Sequence, residues 1–287
     1  MSEVLAIDLG GTKTAIALVD ENGRISHKQK LPAAADFDAT IEQIAGQGTV
    51  HVAAAGVIVP GIYDPSTGGA WAPNLWGRDF HPLRAVLEQR LAVPVAIGSD
   101  RTGSVLAEQW LGVAQGLEHV LFVAVGTGIG VGIVAGGRPI EGARGISGAA
   151  GWMVVGGPWK PEYTERGGWE TEAAGPAVAR RAGMESTEAV VAAARAGDPK
   201  AVIVLQQTAD YLALGIAGLI AILDPQMVVL GGGLMQAADL LLERIRSQAL
   251  RWTQPVTATH ARIEITALGE DAGLLGAARL AWHKAGR

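Results

Sequence analysis

Two segments of this chain repeat one another. Val4-Leu5-Ala6-Ile7-Asp8-Leu9-Gly10-Gly11-Thr12-Lys13-Thr14 matches Val120-Leu121-Phe122-Val123-Ala124-Val125-Gly126-Thr127-Gly128-Ile129-Gly130 at a constant offset of 116 residues. Each segment is an apolar, strand-like run that ends in a small Gly/Thr-rich turn and then resumes an apolar run. Glycine lets the backbone turn sharply and brings its N–H groups close to an anion with no Cβ in the way. A chain that carries this pattern twice is expected to fold as two related lobes. Turns facing one another would close on a polyphosphate from opposite sides, which predicts a nucleotide held in a cleft between the lobes.

At 287 residues, 49% of them apolar, the chain is long enough for two packed lobes and too apolar for disorder. Its net charge of −5 carries no run of like charges, so no nucleic-acid footprint is present. Having no cysteine, it has no disulfide and no Cys-ligated zinc site. The first strand pattern begins almost at once, with no basic leader or cleavage signal before it. The longest apolar stretch, 211–223, stops at Asp224-Pro225 and is too short to span a bilayer. These features predict a soluble cytoplasmic protein with neither a membrane nor a nucleic-acid partner.

The pattern of strands and helices fits an α/β fold. In the first lobe, strands are expected over 3–9, 14–20 and 24–31, a helix over 37–47, and a buried strand over 50–59. A Gly/Pro/Asn-rich segment over 61–80 reads as a long functional loop. A helix over 81–91, a strand over 94–98 and a helix over 101–112 follow. The second lobe repeats the opening with strands over 119–125, 130–135 and 138–141. A second loop-rich region covers 142–176, and helices are expected over 173–183, 186–196 and 198–223. Strand 226–230 runs into Gly231-Gly232-Gly233, then helix 236–250, strand 262–267 and a last helix over 271–284. The expected lobes are 1–115 and 116–270, with 271–287 packing back on the first.

Each candidate site has two readings. Asp8 beside Gly10, Gly11, Thr12 and Lys13 suits hydrated Mg²⁺ and phosphate, or is a hairpin with a capping carboxylate. It is neither a Walker loop nor a dinucleotide fingerprint, since a strand follows Thr12. Gly126, Thr127, Gly128 and Gly130 gain weight from the repeat. Asp100, in Gly98-Ser99-Asp100-Arg101, is either an N-cap, which Ser99 could serve as well, or a general base for a hydroxyl attacking phosphorus. Asn74, between Trp71 and Trp76, is a turn residue or a sugar contact. Glu170 is a first-turn helix carboxylate or part of a site. The six histidines are scattered, show no metal spacing and read as structural.

Together these residues resemble the ROK family (repressor, open reading frame, kinase) of sugar kinases, in the actin-like ATPase superfamily. Asp8-Leu9-Gly10-Gly11-Thr12-Lys13 resembles its first phosphate motif, and Gly126 to Gly130 the second. Gly56-Val57-Ile58-Val59-Pro60-Gly61 resembles its G-x-x-x-P-G turn, Pro73-Asn74-Leu75 its sugar loop, and Asp100 its catalytic aspartate. Gly231-Gly232-Gly233 corresponds to the glycines near adenosine, and Gly269-Glu270-Asp271-Ala272-Gly273 to the start of the closing helix. The resemblance implies two duplicated actin-like, ribonuclease H-like lobes with the active-site cleft between them. It also implies Mg²⁺ held through water at Asp8, ATP as co-substrate, and Asp100 deprotonating a hexose hydroxyl, usually at C6. Sugar contacts would come from Gly69, Asn74, Ser99, Asp100, Trp152 and Glu170, and the enzyme would be a homodimer. The family's repressor members carry a DNA-binding segment ahead of the first motif, and that branch is not expected here.

Three departures bear on the substrate. The family's E-x-G-H sugar motif falls on Ala149-Ala150-Gly151-Trp152, so its carboxylate and histidine are missing. The Cys-rich zinc motif is absent, and Ser99 stands where an Asn precedes the catalytic Asp. A lost acceptor would leave a buried sugar hydroxyl unpaired, at a cost of about 1–3 kcal/mol. The ligand is therefore expected to differ at that end of the ring, or to stack on Trp152. Against a sugar kinase stand two other readings: a sugar- or nucleotide-sensing protein that has lost transfer, and another actin-like ATPase or phosphatase.

Overall fold

The computed structural model describes residues 2–46 and 52–286. His51 and the first positions of the expected strand 50–59 lie outside the described residues. The chain forms two compact units, one comprising Met1–Gly116, Pro139–Ser147 and Ala267–Arg287, the other Leu117–Arg138 and Gly148–Thr266. Pro139–Ser147, which the sequence leaves in the second lobe, groups with the first. Gly145 sits so tightly on the backbone of Tyr63 that an added Cβ would lie 1.8 Å from its carbonyl oxygen.

The first unit is built on strands β1 (Glu3–Leu9), β2 (Lys13–Asp20), β3 (Ile25–Pro32), β4 (Ala55–Val59) and β7 (Val95–Ser99), in the order β3-β2-β1-β4-β7. The first three form an antiparallel meander, while β4 and β7 run parallel to β1. β4 (AGVIV) is wholly buried, as a central parallel strand covered on both faces should be. The polar β3 takes the edge. The closing helix Ala272–Lys284 packs on β1, β4 and the helix Asp100–Leu111. Its approach depends on small residues, since a Cβ on Gly56 would lie 1.8 Å from the Ala277 carbonyl oxygen. The buried Trp282 pins its far end, donating from Nε1 to the Asp20 carbonyl at 3.2 Å.

The expected loop 61–80 is more ordered than its composition suggests. It holds the hairpin β5 (Ile62–Asp64) with β6 (Gly69–Trp71), then the short helix Pro73–Trp76. Three-residue strands are too short to show an alternating pattern. What fixes them is a turn in which Asp64 accepts from the Ser66 backbone and hydroxyl at 2.9 and 2.6 Å, and a Phe37–Trp76–His81 aromatic cluster.

The second unit repeats the same plan with β8 (Val120–Val125), β9 (Ile129–Ala135), β10 (Arg138–Pro139), β11 (Met227–Gly231) and β12 (Arg262–Ile265), in the order β10-β9-β8-β11-β12. Again a meander opens the sheet, and β11 and β12 run parallel to one another and to β8. The segment 142–176 holds a 3-10 turn Ala150–Trp152 and the helices Tyr163–Arg166 and Gly168–Ala173. The long helix Pro199–Leu223 is capped by Asp198, which accepts from the Ala201 backbone at 2.8 Å. Its 25 residues exceed the apolar stretch seen in the sequence, and by length and composition it matches a membrane span. Packing accounts for it instead: Leu205, Leu212, Ile216 and Ile220 are buried in one core with the fully enclosed Trp169. That indole donates to the Tyr211 carbonyl at 2.9 Å and occupies the space a side chain at Gly215 would fill.

Substituting Gly56→Ala should destabilise the protein by about 1–3 kcal/mol, because backbone on the closing helix must yield. Gly218→Ala, where an added methyl meets only Met153 Cε at 3.4 Å, should be neutral or mildly stabilising. Urea unfolding of the two variants checks the contrast.

Candidate functional site

Parallel pairing sets the candidate site of the first unit. Asp8 on β1 lies opposite Ile58 on β4, which lies opposite Gly98 on β7. Asp8, the Pro60-Gly61 turn and Ser99-Asp100 therefore leave the sheet at one carboxyl edge, where ligands gather in open α/β sheets. At a strand spacing of about 4.8 Å, Asp8 and Gly98 are about 10 Å apart across the row.

Of the two capping candidates, Ser99 does the capping. Its hydroxyl accepts from the Thr102 backbone at 3.3 Å and lies 3.1 Å from the Thr102 hydroxyl, so it is engaged within the helix start. Asp100 is thereby released from that duty and becomes the first residue of the helix. Its carboxylate takes the Arg101 backbone N–H at 2.8 Å and otherwise faces outward. It keeps solvent-accessible surface, yet the protein atoms crowded around it raise its pKa by desolvation, against an opposing pull from the Arg101 charge. Asp8, half-buried, is pushed up to about 6, by burial first and by the Asp100 charge second. The closing helix reaches it as well, since a Cβ on Gly273 would lie 2.0 Å from its carboxylate.

The first glycine turn is closed by the Gly10 N–H donating to the Lys13 carbonyl at 2.8 Å. Gly11 has open space around its Cβ position, and Gly11, Thr12 and Lys13 are exposed. Gly69 is buried on β6, and Asn74 stands exposed in the first turn of the Pro73–Trp76 helix.

In the second unit the repeated turn joins β8 to β9, with the Gly126 N–H donating to the Gly128 carbonyl at 2.9 Å. Gly130 is within β9, paired with Ala124. Glu170 braces this turn: its Oε2 accepts from the Ile129 backbone at 2.9 Å and fills the space beside Gly128 and Gly151. A cavity of about 530 Å³ opens next to the turn, lined by Gly126, Thr127, Gly175, Glu188, Gly233 and Leu234 among others. That volume lies within the range of small-molecule sites. Of the third glycine run, Gly233 faces the cavity, while Gly231 ends β11 against Phe122 and Gly232, at φ +89°, turns under the Val125 backbone. Trp152 stands 57% exposed as the last residue of the Ala150–Trp152 turn, and Ala149 brings no polar group there.

Two participants escape a reading of the sequence. Gly175 and Thr187 stitch the cavity wall to the turn, through Gly175 N–H to the Gly126 carbonyl and the Thr187 hydroxyl to the Gly175 carbonyl, both at 2.8 Å. The Ser186-Thr187-Glu188 cap signal was the available hint. Gly273, which meets Asp8, lies in the segment that resembles the start of the closing helix.

Two sheets of one strand order, each with a glycine turn after its first strand, define the duplicated actin-like class of α/β fold. Solved structures agree: a ROK hexokinase from Thermus thermophilus superposes with a TM-score of 0.85 at 34% identity, covering 98% of both chains. A ROK family glucokinase from Streptomyces griseus, in complex with glucose and AMPPNP, gives 0.79 at 29% identity, covering 98% of this chain and 100% of its own. A glucokinase from Halalkalibacterium halodurans is 30% identical over 308 residues, 95% of this chain and 92% of that protein. Residues 4–284 match the ROK family, and the chain belongs to it.

The Asp8 carboxyl gives a pH test. Its folded pKa of about 6 lies above the ordinary 3.8, so the folded state holds an extra proton between those values. Stability therefore falls as pH rises through that window, and the deficit persists above it. In chelator-treated buffer, Asp8→Asn should be more stable than the parent by about 3 kcal/mol at pH 7.5 and within about 0.5 kcal/mol of it at pH 4. Thermal unfolding against pH checks this.

Proposed function

We propose that this chain is an ATP-dependent sugar kinase that phosphorylates a hydroxyl, that at C6, of a hexose or hexose derivative, with Asp100 as general base. The observation that carries the reading is Asp100 itself: a carboxylate at the edge of the sheet, released from capping by Ser99 and raised by desolvation toward the working pH. It accepts the proton of the attacking hydroxyl. Amides of the two glycine turns bind phosphate oxygens, and the cavity beside Gly126 and Gly233 takes the nucleoside.

Asp8 fits a hydrated Mg²⁺, being a partly desolvated carboxylate beside a second acid, with two negative charges in need of a cation. Bound there through water, the ion would offset charge on the phosphates. On the acceptor side, Glu170 offers its second carboxylate oxygen, Asn74 its exposed amide and Trp152 its exposed face. A neutral ring that stacks on an indole suits this set better than one needing the missing carboxylate and histidine. A cytoplasmic homodimer completes the reading.

Asp100→Asn should keep the parent's melting temperature and lose about 10²–10⁴-fold in sugar-dependent ADP release across a hexose panel. Full turnover by this variant would sink the assignment. A second reading, a sugar sensor without transfer, is favoured by Ala149 and Trp152, and calorimetry that finds sugar binding with no phosphotransfer would establish it.

Glu170 supplies a separate check on the donor side. Glu170→Ala removes the acceptor for the Ile129 N–H and should weaken AMPPNP binding, measured without sugar, by about tenfold. Glu170→Gln keeps an acceptor oxygen and should bind AMPPNP nearly as the parent does.

A further inference from the structure

The cavity beside the second glycine turn does not end at Leu234. A slot of about 220 Å³ continues from it, and the two share Thr187, Glu188, Gly233 and Leu234. One wall of the slot is the helix Thr187–Arg195, and the other is the 3-10 turn Gly233–Ala237. From the helix, Val191, Ala192 and Arg195 line it together with Thr187 and Glu188. Those positions run i, i+1, i+4, i+5 and i+8, which is a single helical stripe.

Val191 and Ala192 put apolar surface on one side of the slot, Leu234 and Ala237 on the other. Polar side chains line it only at its ends: Thr187 and Glu188 where it meets the cavity, Arg195 and Gln236 at the far end. Apolar walls on both sides suit the faces of a heterocyclic base, whereas ribose hydroxyls and phosphates would lose hydrogen bonds between them. With phosphates on the amides of the Gly126 turn, the ribose falls at the shared mouth and the base in the slot.

The helix wall is pinned along its length. At its start the Thr187 hydroxyl donates to the Gly175 carbonyl and the Gly175 N–H to the Gly126 carbonyl, both at 2.8 Å. Its middle is held by Val190 and Ala194, buried in the core. Its last residue, Arg195, reaches across to the opposite wall. Nε and Nη2 donate to the two carboxylate oxygens of Asp239 at 3.1 and 2.7 Å, and Nη2 also donates to the Gln236 carbonyl at 3.1 Å. One guanidinium thus joins the end of the helix to the turn, and to the first turn of the helix Ala238–Trp252 that follows. Those hydrogen bonds, more than any other cause, hold the Asp239 carboxyl below its ordinary range.

An exposed ion pair contributes little to global stability. Its effect falls on the gap it closes, because a slot already held at one width loses less freedom on taking a ligand. We propose that Arg195 is a positioning residue for the phosphoryl donor, its clasp on Asp239 and Gln236 fixing the width of the slot that grips the base. This inference rests on the nucleotide cavity of the kinase reading above.

Calorimetry with three ligands tests it: AMPPNP carries base and phosphates, adenosine the base without phosphates, and inorganic tripolyphosphate the chain alone. Arg195→Met should weaken AMPPNP and adenosine about fivefold and leave tripolyphosphate within about twofold of the parent. Its melting temperature should stay within about 2 °C of the parent's. In turnover, the ATP KM should rise by a similar factor while kcat and the hexose KM hold. Arg195→Lys, which keeps the charge without the fork, should fall between the two. Asp239→Asn should add nothing once Arg195→Met is in place, the mark of one shared contact. Ala192→Leu, a good helix former at an exposed position, fills the slot and should weaken AMPPNP at least about 30-fold with no fall in melting temperature.

Parent-like AMPPNP binding by Arg195→Met or Ala192→Leu overturns the proposal, as does an equal loss of AMPPNP and tripolyphosphate. Ala179 lines the cavity and not the slot. A loss confined to Ala179→Leu would put the base there and overturn it too. No AMPPNP binding by the parent defeats the nucleotide reading and this inference with it, whereas binding by parent and Arg195→Met alike defeats this inference alone. A loss confined to AMPPNP and adenosine supports it even if no hexose is turned over.

Discussion

The parallel alignment of β1, β4 and β7 is the constraint on which the candidate site of the first unit depends. Because Asp8, Ile58 and Gly98 share one row, the ends of three strands deliver their next residues to a single edge. Two carboxylates, Asp8 and Asp100, lie there in a partly desolvated setting that makes each harder to ionise than a free carboxylate. Such an arrangement is unfavourable for an empty fold, and it makes sense where cations and phosphates complete the charge balance. The glycines at 56, 273 and 276 serve the same end. Gly56 lets the closing helix press onto the sheet, Gly273 lets its start meet Asp8, and Gly276 lets it press on the Asp100–Leu111 helix at Gly103, so the tight packing and the acid pair are one construction.

The second unit solves a different problem with the same sheet. At the position equivalent to Asp8 stands Ala124, and no acid lies at the end of β8. The turn that follows is braced from outside by Glu170 on the Gly168–Ala173 helix and by Gly175 at the start of the next. The two units thus share a backbone plan while their side chains differ: one has the acids Asp8 and Asp100 at its sheet edge, the other a cavity beside its glycine turn.

How much of this was legible in the sequence follows from the range of the forces involved. The repeat at a fixed offset showed both sheets, because period-two burial and glycine turns are local features that survive as patterns. The helix from Pro199 was legible through its apolar run and its Asp198 cap. β5 and β6 were not, since their order comes from Tyr63, Trp76 and a turn around Asp64 rather than from alternation. Glu170 was legible as a candidate, but its link to Ile129, 41 positions away, is tertiary.

The missing cysteines now have a structural counterpart. In the stretch where the family resemblance leads one to expect a metal-bound motif, the chain is held by Glu172. This buried carboxylate takes Lys160 at 2.5 Å and the Tyr163 hydroxyl at 2.7 Å, with Arg181 at 3.6 Å behind it. Burial alone would push Glu172 up, but those donors and charges hold it below the ordinary carboxylate range. An ion-pair cluster fastens a segment as a metal does, with a weaker and less directional grip. Gly167 then presses against the backbone of Gly151 and Trp152, so the Glu172 cluster and the exposed indole belong to one folded segment. Two positions before Glu172 on the same short helix, Glu170 holds the glycine turn. The absent metal motif and the departures at Ala149 and Trp152 therefore fall in a single piece of structure, built around the Glu172 cluster.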